Sequence, residues 1–235
     1  MTPAILMILA AGRGKRMKDL TNERPKPLIS VLGKTLIERV VEHAEQADIH
    51  QFVINTCYKG EMIERALADV PNVQWSREEV ALETGGGVLN ALPLLLPAGE
   101  NGFFVANADP LWVDKTTSLF TQLARKWNPK KQDILLALIP KAQAFGAVHG
   151  GDYFMENGIP RRKHAGEAEA PYLFTGVQII HPRVFKGVEA GAFSLVRLYD
   201  QAEAAGRLGA VIYDGDWYHV GTPEALELTE ERLRQ

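Results

Sequence analysis

Apolar and polar positions along the chain predict a regular alternation of strands and helices. Residues 4–11 form one continuous apolar run, the signature of a strand covered on both faces. Residues 12–27 are polar, contain prolines and read as a loop. Residues 35–47 have helical spacing, with Leu36, Val40, Val41 and Ala44 on one face. Strands are expected at 51–56, 73–75 and 102–106, and helices at 61–68, 87–96 and 115–127. Repeated β-α-β-α units predict an α/β fold: a Rossmann-like, mostly parallel sheet with helices on both faces. After about residue 133 the rhythm changes. Residues 134–139, 147–155 and 172–180 read as strands joined only by loops, and 195–205 and 224–233 as helices. The second part is expected as a small α+β portion appended to the same sheet. No repeat, low-complexity tract or linker divides the chain, so residues 1–235 are expected to form one domain.

Composition narrows the function classes. Of 235 residues, 46% are hydrophobic and 23% charged, which excludes disorder, collagen and coiled coil as global descriptions. One cysteine, Cys57, excludes a disulfide scaffold and a cysteine-based zinc cluster, and a reducing compartment follows. A net charge of -3 argues against a nucleic-acid partner. The apolar run at 4–11 is shorter than the roughly 18 residues of a membrane span. Its flanking charges, Arg13, Lys15 and Arg16, come after it, whereas a secretory signal carries them before. A cytoplasmic protein with no membrane partner is expected.

The charge is unevenly distributed. Residues 13–26 hold six bases and two acids, a net of +4, at the C-terminal end of the first strand. Open α/β sheets bind ligands there, and the concentration suggests an anion. Gly12 and Gly14 remove side chains, which lets backbone N–H groups approach a phosphate. Neither familiar phosphate motif fits. The dinucleotide fingerprint has Met17 in place of its third glycine, and a P-loop ending at Gly33–Thr35 has Leu28 in place of its first. Two prolines flank Lys26 and fix the backbone around that one lysine.

These residues resemble a family. "LAAGRGKRM" followed by "RPKPL" is similar to the signature of the sugar-1-phosphate nucleotidylyltransferases. "VINTCYKGEMIE", "LETGGGVLNAL", "VANADPLW", "LFTGVQIIHP" and "WYHVGTPEAL" follow in the family's order across nearly the whole chain. "LETGGG" and the compact length look most like the N-acetylmuramate α-1-phosphate uridylyltransferase branch, with the mannose-1-phosphate guanylyltransferases as neighbours.

The resemblance implies a nucleotide-diphospho-sugar transferase fold of GT-A type. Residues up to about 132 would bind the nucleotide and the remainder the sugar phosphate. It also implies Mg2+ as cofactor, an NTP and a sugar 1-phosphate as partners, and a monomer or simple homodimer, since the long C-terminal assembly extension of many relatives is missing. Its roles fall on Arg16, over the triphosphate, and Lys26, at the α-phosphate. Ala10, Ala11, Gly12, Arg13, Gly14, Glu78, Glu83, Gly86 and Asn107 fall on the nucleotide side. Gly146, Lys163, Thr175 and Gly176 fall on the sugar-phosphate side, with Arg161 and Arg162 beside Lys163 in place of the family's Glu-Lys pair. Asp109 matches the metal-binding aspartate. His219 stands where the family has a second one. Neutral imidazole is a poorer magnesium ligand than carboxylate. Direct ligation, ligation through water, contact with substrate phosphate and a structural role all remain open for it. Asp216 and Asp114 are candidate substitutes, and a nucleotide or sugar-phosphate sensor with lost catalysis is the rival reading. A carboxylate at Glu78 suits the N3–H of uracil and the N1–H and N2–H of guanine equally well. His43 and His50 read as surface residues, and Cys57 as a small apolar group.

Overall fold

A nine-stranded sheet organises the chain, seen in a computed structural model that describes residues 2–146 and 150–235. The strands are β1 (Ile5–Leu9), β2 (Ser30–Val31), β3 (Lys34–Thr35), β4 (Gln51–Thr56), β5 (Val73–Arg77), β6 (Phe103–Asn107) and β7 (Leu111–Val113). They continue with β8 (Ile134–Pro140), β9 (Ala144–Gly146), β10 (Tyr153–Glu156), β11 (Ile159–Arg162), β12 (Tyr172–Ile180), β13 (Leu208–Ile212) and β14 (Asp216–His219). The helices are α1 (Leu20–Glu23), α2 (Leu36–Gln46), α3 (Gly60–Ala66), α4 (Glu83–Leu95), α5 (Leu119–Lys126), α6 (Val196–Ala204) and α7 (Pro223–Leu233).

The strands β6, β1, β4 and β5 are parallel neighbours. β1 lies between β4 and β6, so the chain reverses its direction of travel across the sheet beside β1. That is the topological switch point where open α/β sheets leave a crevice. β12 runs antiparallel to both β6 and β8, and β13 extends the sheet parallel to β8. β8 covers one edge of β12. Its other edge is shared: Tyr172 pairs with β10, whereas Val177–Ile180 pair with β6. Against β8 the register shifts between Phe174 and Gln178, and over the same stretch the other edge of β12 passes from β10 to β6. A second, three-stranded sheet, β7-β14-β9, packs beside this break.

Alternation along β1 divides the core. Leu6 and Ile8 face one cluster with Ile37, Val40 and Val41 of α2 and Leu119, Phe120 and Leu123 of α5. Ile5 and Met7 face another with Val88 and Ala91 of α4 and Leu198 and Ala202 of α6. Burial on both faces explains the uninterrupted apolar run.

Element ends differ from the sequence expectation for local reasons. The loop after β1 is wound into α1 and two single 3-10 turns, at Lys15–Met17 and Lys26–Leu28. α4 begins at Glu83, four residues earlier than predicted, because the amides of Gly85 and Gly86 donate to the Phe193 carbonyl. α5 begins later, at the Ser118 cap, since Lys115 and Thr116 turn aside to Asp216 and Asp214. The expected strand at 147–155 falls partly on 147–149, outside the described residues, and its remainder overlaps β10 from Tyr153. β2, β3, β7, β9, β11, β13 and β14 were not expected; all but β13 are four residues or shorter.

His43 is not a surface residue. Its ring is 19% exposed, stacks on Trp112 at 4.6 Å and lies 3.1 Å from Asp114. Asp114 also accepts from the Leu119 amide and the Tyr213 hydroxyl, each at 2.8 Å. Burial first, and then the Asp114 charge, push the Tyr213 phenol upward, so it stays a donor. Asp114→Ala leaves these donors unpaired. It is expected to lower stability by about 1–3 kcal/mol in urea unfolding.

Candidate active site

Lys26 is the organising side chain. Pro25 is extended, and Lys26 opens a single 3-10 turn that points its side chain inward. The side chain is 8% exposed, and Nζ lies 2.7 Å from Oδ2 of Asp109, just beyond β6. Gly14 admits it. A Cβ at Gly14 would stand 2.5 Å from the Lys26 Cβ, and its φ of +73° is left-handed. The space at Gly14 therefore serves the lysine, whereas Gly12 faces open space.

A cavity of about 260 Å³ opens at the end of β1, lined by Ala10, Ala11, Gly12 and Gly14 on one side and Glu78, Glu83 and Asn107 on the other. Its wall is held by a buried polar chain. Asn55 accepts from the Ala10 amide at 2.9 Å and donates to Glu78 Oε1 at 2.6 Å. Glu78 Oε2 accepts from the Leu82 amide at 2.9 Å. Glu83 sits at φ +58°, left-handed for a residue with a side chain. Strain of this kind clusters at functional sites.

A second cavity, of about 350 Å³, is lined by Arg16, Asp152, Thr175, Gly176, Trp217 and His219. Asn107 and Asp109 line both cavities. The Lys26–Asp109 pair therefore marks the seam where the two meet. Thr175 is fully buried; its hydroxyl donates to the Ala137 carbonyl, and its own carbonyl accepts from the Trp217 indole at 2.9 Å. Gly176, at φ +88°, lies against the Asn107 amide. His219 is half-buried, with its ring tilted over Trp217 at 5.8 Å. Burial, then the positive charge of Lys26, hold its basicity below the ordinary histidine value, with Arg16 adding a smaller push.

Residues 6–210 match the family model described as a MobA-like NTP transferase domain. The chain belongs to this NTP transferase family. It is 38% identical to an N-acetylmuramate alpha-1-phosphate uridylyltransferase of Caulobacter vibrioides, over 99% of this chain and 98% of that protein. A second protein of that name, from Neisseria meningitidis, is 35% identical over 92% of each. The fold is like that of a putative glucose-1-phosphate thymidylyltransferase from Bacillus anthracis, with a TM-score of 0.81 over 99% of this chain and 96% of that one, at 19% identity.

Not all expected site residues of this transferase converge. Arg13 lies over the Tyr58 ring, 5.0 Å from its centroid, and lines neither cavity. Gly86 is packed against the Gly191 carbonyl, where a Cβ would approach to 2.2 Å, so its smallness serves helix packing. Gly146 lies in β9 against the His219 backbone and lines neither cavity. Asp216 pairs with Lys115 and Asp114 with the Tyr213 hydroxyl, and neither lines either cavity. Lys163 lines a neighbouring cavity. Sequence reasoning missed Asn55, Asp152 and Trp217. Asn55 is the next-to-last residue of the run QFVINT, where a polar residue near the close of an apolar strand was the available signal.

Among the described residues, no three His, Cys, Asp or Glu side chains group into a metal cage. The donors at the seam are the carboxylate of Asp109, 36% exposed, and beside it the imidazole of His219. Magnesium is commonly held by one or two carboxylates completed by water and substrate phosphates, so the donor set fits such a shared ion.

Gly87 supports the polar wall. A Cβ there would stand 2.6 Å from Asn55 Nδ2 and 2.9 Å from Glu78 Oε1. Gly87→Ala is therefore expected to lower stability by about 1–3 kcal/mol through overpacking. It should also weaken nucleotide binding in calorimetric titration, because the Ala10 amide loses its anchor.

Proposed function

We propose that this transferase moves the uridylyl group of UTP onto N-acetylmuramate α-1-phosphate and releases pyrophosphate. The observation that carries this reading is the meeting of two cavities at one lysine–aspartate pair. Each cavity offers room for one substrate, and the reacting phosphates then meet at the seam. Identity of 38% to a protein of that activity supports the choice of base and sugar. The part up to about residue 132 supplies the nucleotide cavity, and the part after it contributes Asp152, Thr175, Gly176, Trp217 and His219 to the sugar side.

An oxygen of the sugar 1-phosphate attacks the α-phosphorus of the nucleotide. The new P–O bond forms in line with the bond that breaks, and the electron pair leaves on pyrophosphate. A phosphate monoester has its second pKa near about 6, so no general base is needed to create the nucleophile. The barrier is electrostatic, and cations placed on the phosphates lower it.

Lys26 takes a nonbridging oxygen of the α-phosphate. Arg16, which has no ion-pair partner among the described residues, steadies the departing pyrophosphate with its planar guanidinium. Ala10, Ala11, Gly12, Gly14 and the Glu83 backbone hold base and phosphates. Glu78 fixes Asn55, with both of its oxygens already bonded to the protein, and Asn107 stands between the substrates. Asp109 would hold Mg2+, with His219 beside it as a neutral contact to a bound water or phosphate. When bound, the ion neutralises triphosphate charge. Before substrate arrives, Lys26 and Asp109 neutralise each other; the nucleotide draws the lysine onto phosphate and frees the carboxylate.

Pyrophosphate release should be measured with four NTPs against several sugar 1-phosphates in the presence of magnesium. Fastest release with UTP and N-acetylmuramate 1-phosphate is expected. Preference for GTP and mannose 1-phosphate would move the chain to another substrate pair, and release from no pair would support a sensor. Lys26→Ala is expected to lose about 100-fold or more in kcat while remaining folded by circular dichroism. In the same assay Asp109→Ala should lose magnesium-dependent turnover, and His219→Ala should lose less.

A further inference from the structure

A third cavity, of about 430 Å³, adjoins the sugar side of the site. Asp152 and Phe174 line both, so the two spaces share a wall at the N-terminal half of β12. Three consecutive bases, Arg161, Arg162 and Lys163, run along β11 to its tip. Their charges are treated differently. Arg161 is paired with Glu156 at 2.7 Å and Glu167 at 3.0 Å. Arg162 makes a two-pronged contact with Asp200 of α6, at 2.6 and 2.8 Å, and its amide donates to Glu203.

Lys163 has no ion-pair partner among the described residues, although its backbone is pinned by a 2.7 Å hydrogen bond to the Asp152 carbonyl. Glu169 is near enough to feel its charge but is bonded to Lys141. Lys163 is half-buried and lines the third cavity together with Arg162 and His164. Among the described residues it is thus a cation with a pinned backbone and no ion pair of its own. The seam already supplies Arg16 and Lys26 for the phosphates, and Lys163 does not line that cavity.

We propose that this third cavity is a carboxylate subsite, in which Lys163 selects a sugar 1-phosphate that carries a second, acidic substituent. The proposal rests on the transfer reaction above and deepens it. Muramate differs from a neutral N-acetylhexosamine by a lactyl ether that ends in a carboxylate. With the sugar ring over Asp152, the free Asp152 oxygen accepts a ring hydroxyl, since its other oxygen already accepts from the Phe174 amide at 2.9 Å. The lactyl arm then reaches across the shared wall to Lys163. The bonded Arg162 and Asp200 pair forms a rigid flank that keeps the cavity open without adding net charge.

The test compares N-acetylmuramate 1-phosphate with its lactyl carboxamide, which has the same shape without the charge. The wild-type protein should favour the acid in kcat/KM by about tenfold or more, as loss of one charge-assisted hydrogen bond implies. In Lys163→Met that ratio should collapse towards one through a raised KM for the acid, and Lys163→Arg should largely keep it. A ratio unchanged in Lys163→Met would overturn the subsite. So would an equal fall for both substrates, which would place Lys163 on the shared phosphate. If the wild-type protein turns over neither compound but does turn over another sugar 1-phosphate, the choice of sugar fails, and the subsite fails with it for a separate, visible reason.

Discussion

A lysine ammonium withdrawn from water must be given an anion, and the geometry of this chain around Lys26 follows from that requirement. The anion in the unliganded chain is Asp109, 2.7 Å away and brought there by the end of β6. The prolines beside Lys26 set its backbone, and the absent side chain at Gly14 lets the loop after β1 close over it. In the proposed reaction both partners of this pair have work elsewhere, Lys26 on phosphate and Asp109 on a cation. Their contact is a resting arrangement in which each stands in for the other's ligand. In that proposal an arriving triphosphate and its divalent ion would restore charge balance to both.

The second structural decision lies in β12. A strand with a single neighbour along its edge would have sealed the sheet. Here β10 and β6 share that edge in succession, and the irregular stretch at Thr175 and Gly176 is where it changes hands. The backbone left over at this break is not orphaned: the Thr175 hydroxyl donates to the Ala137 carbonyl and accepts from the Val177 amide, and the Trp217 indole donates to the Thr175 carbonyl. The second cavity is thus a by-product of satisfying buried polar groups at a strand exchange. The three-stranded sheet β7-β14-β9 then carries His219 to its rim.

Charge is apportioned with the same economy on the other flank. Most basic residues near the sugar side are neutralised within the chain, Arg161 by Glu156 and Glu167, and Arg162 by Asp200. Among the described residues Arg16 and Lys163 have no ion pair, and each lines a cavity that Asp152 also lines. In a protein of net charge -3, unpaired cations held at two cavities give a local field that an anionic substrate with two separated charges would match.

The alternation of strands and helices was legible because periodicity is local. A run such as ILMIL declares burial on both faces wherever it is placed, and α2 carries its own capping box at Thr35 and Glu38. The basic loop, Lys26, Asp109 and His219 were also legible, since the order of their motifs matches a family. Short strands such as β7, β9 and β14 were not, because two to four residues hold too few periods to declare a face. The hairpin between β10 and β11 had a readable turn in Asn157–Gly158, both left-handed, that was passed over. Only the tertiary structure showed that the glycines of α4 serve packing, that Asp114 and Asp216 have other partners, and that Lys163 has none among the described residues. Sequence by itself determined which residues are charged, small or apolar, and hence the layers of the fold. Which charges cancel and which remain for a ligand was decided by contacts such as Lys26 with Asp109, 83 positions apart. Pairing across such separations depends on where strands end in space, and no local pattern encodes that.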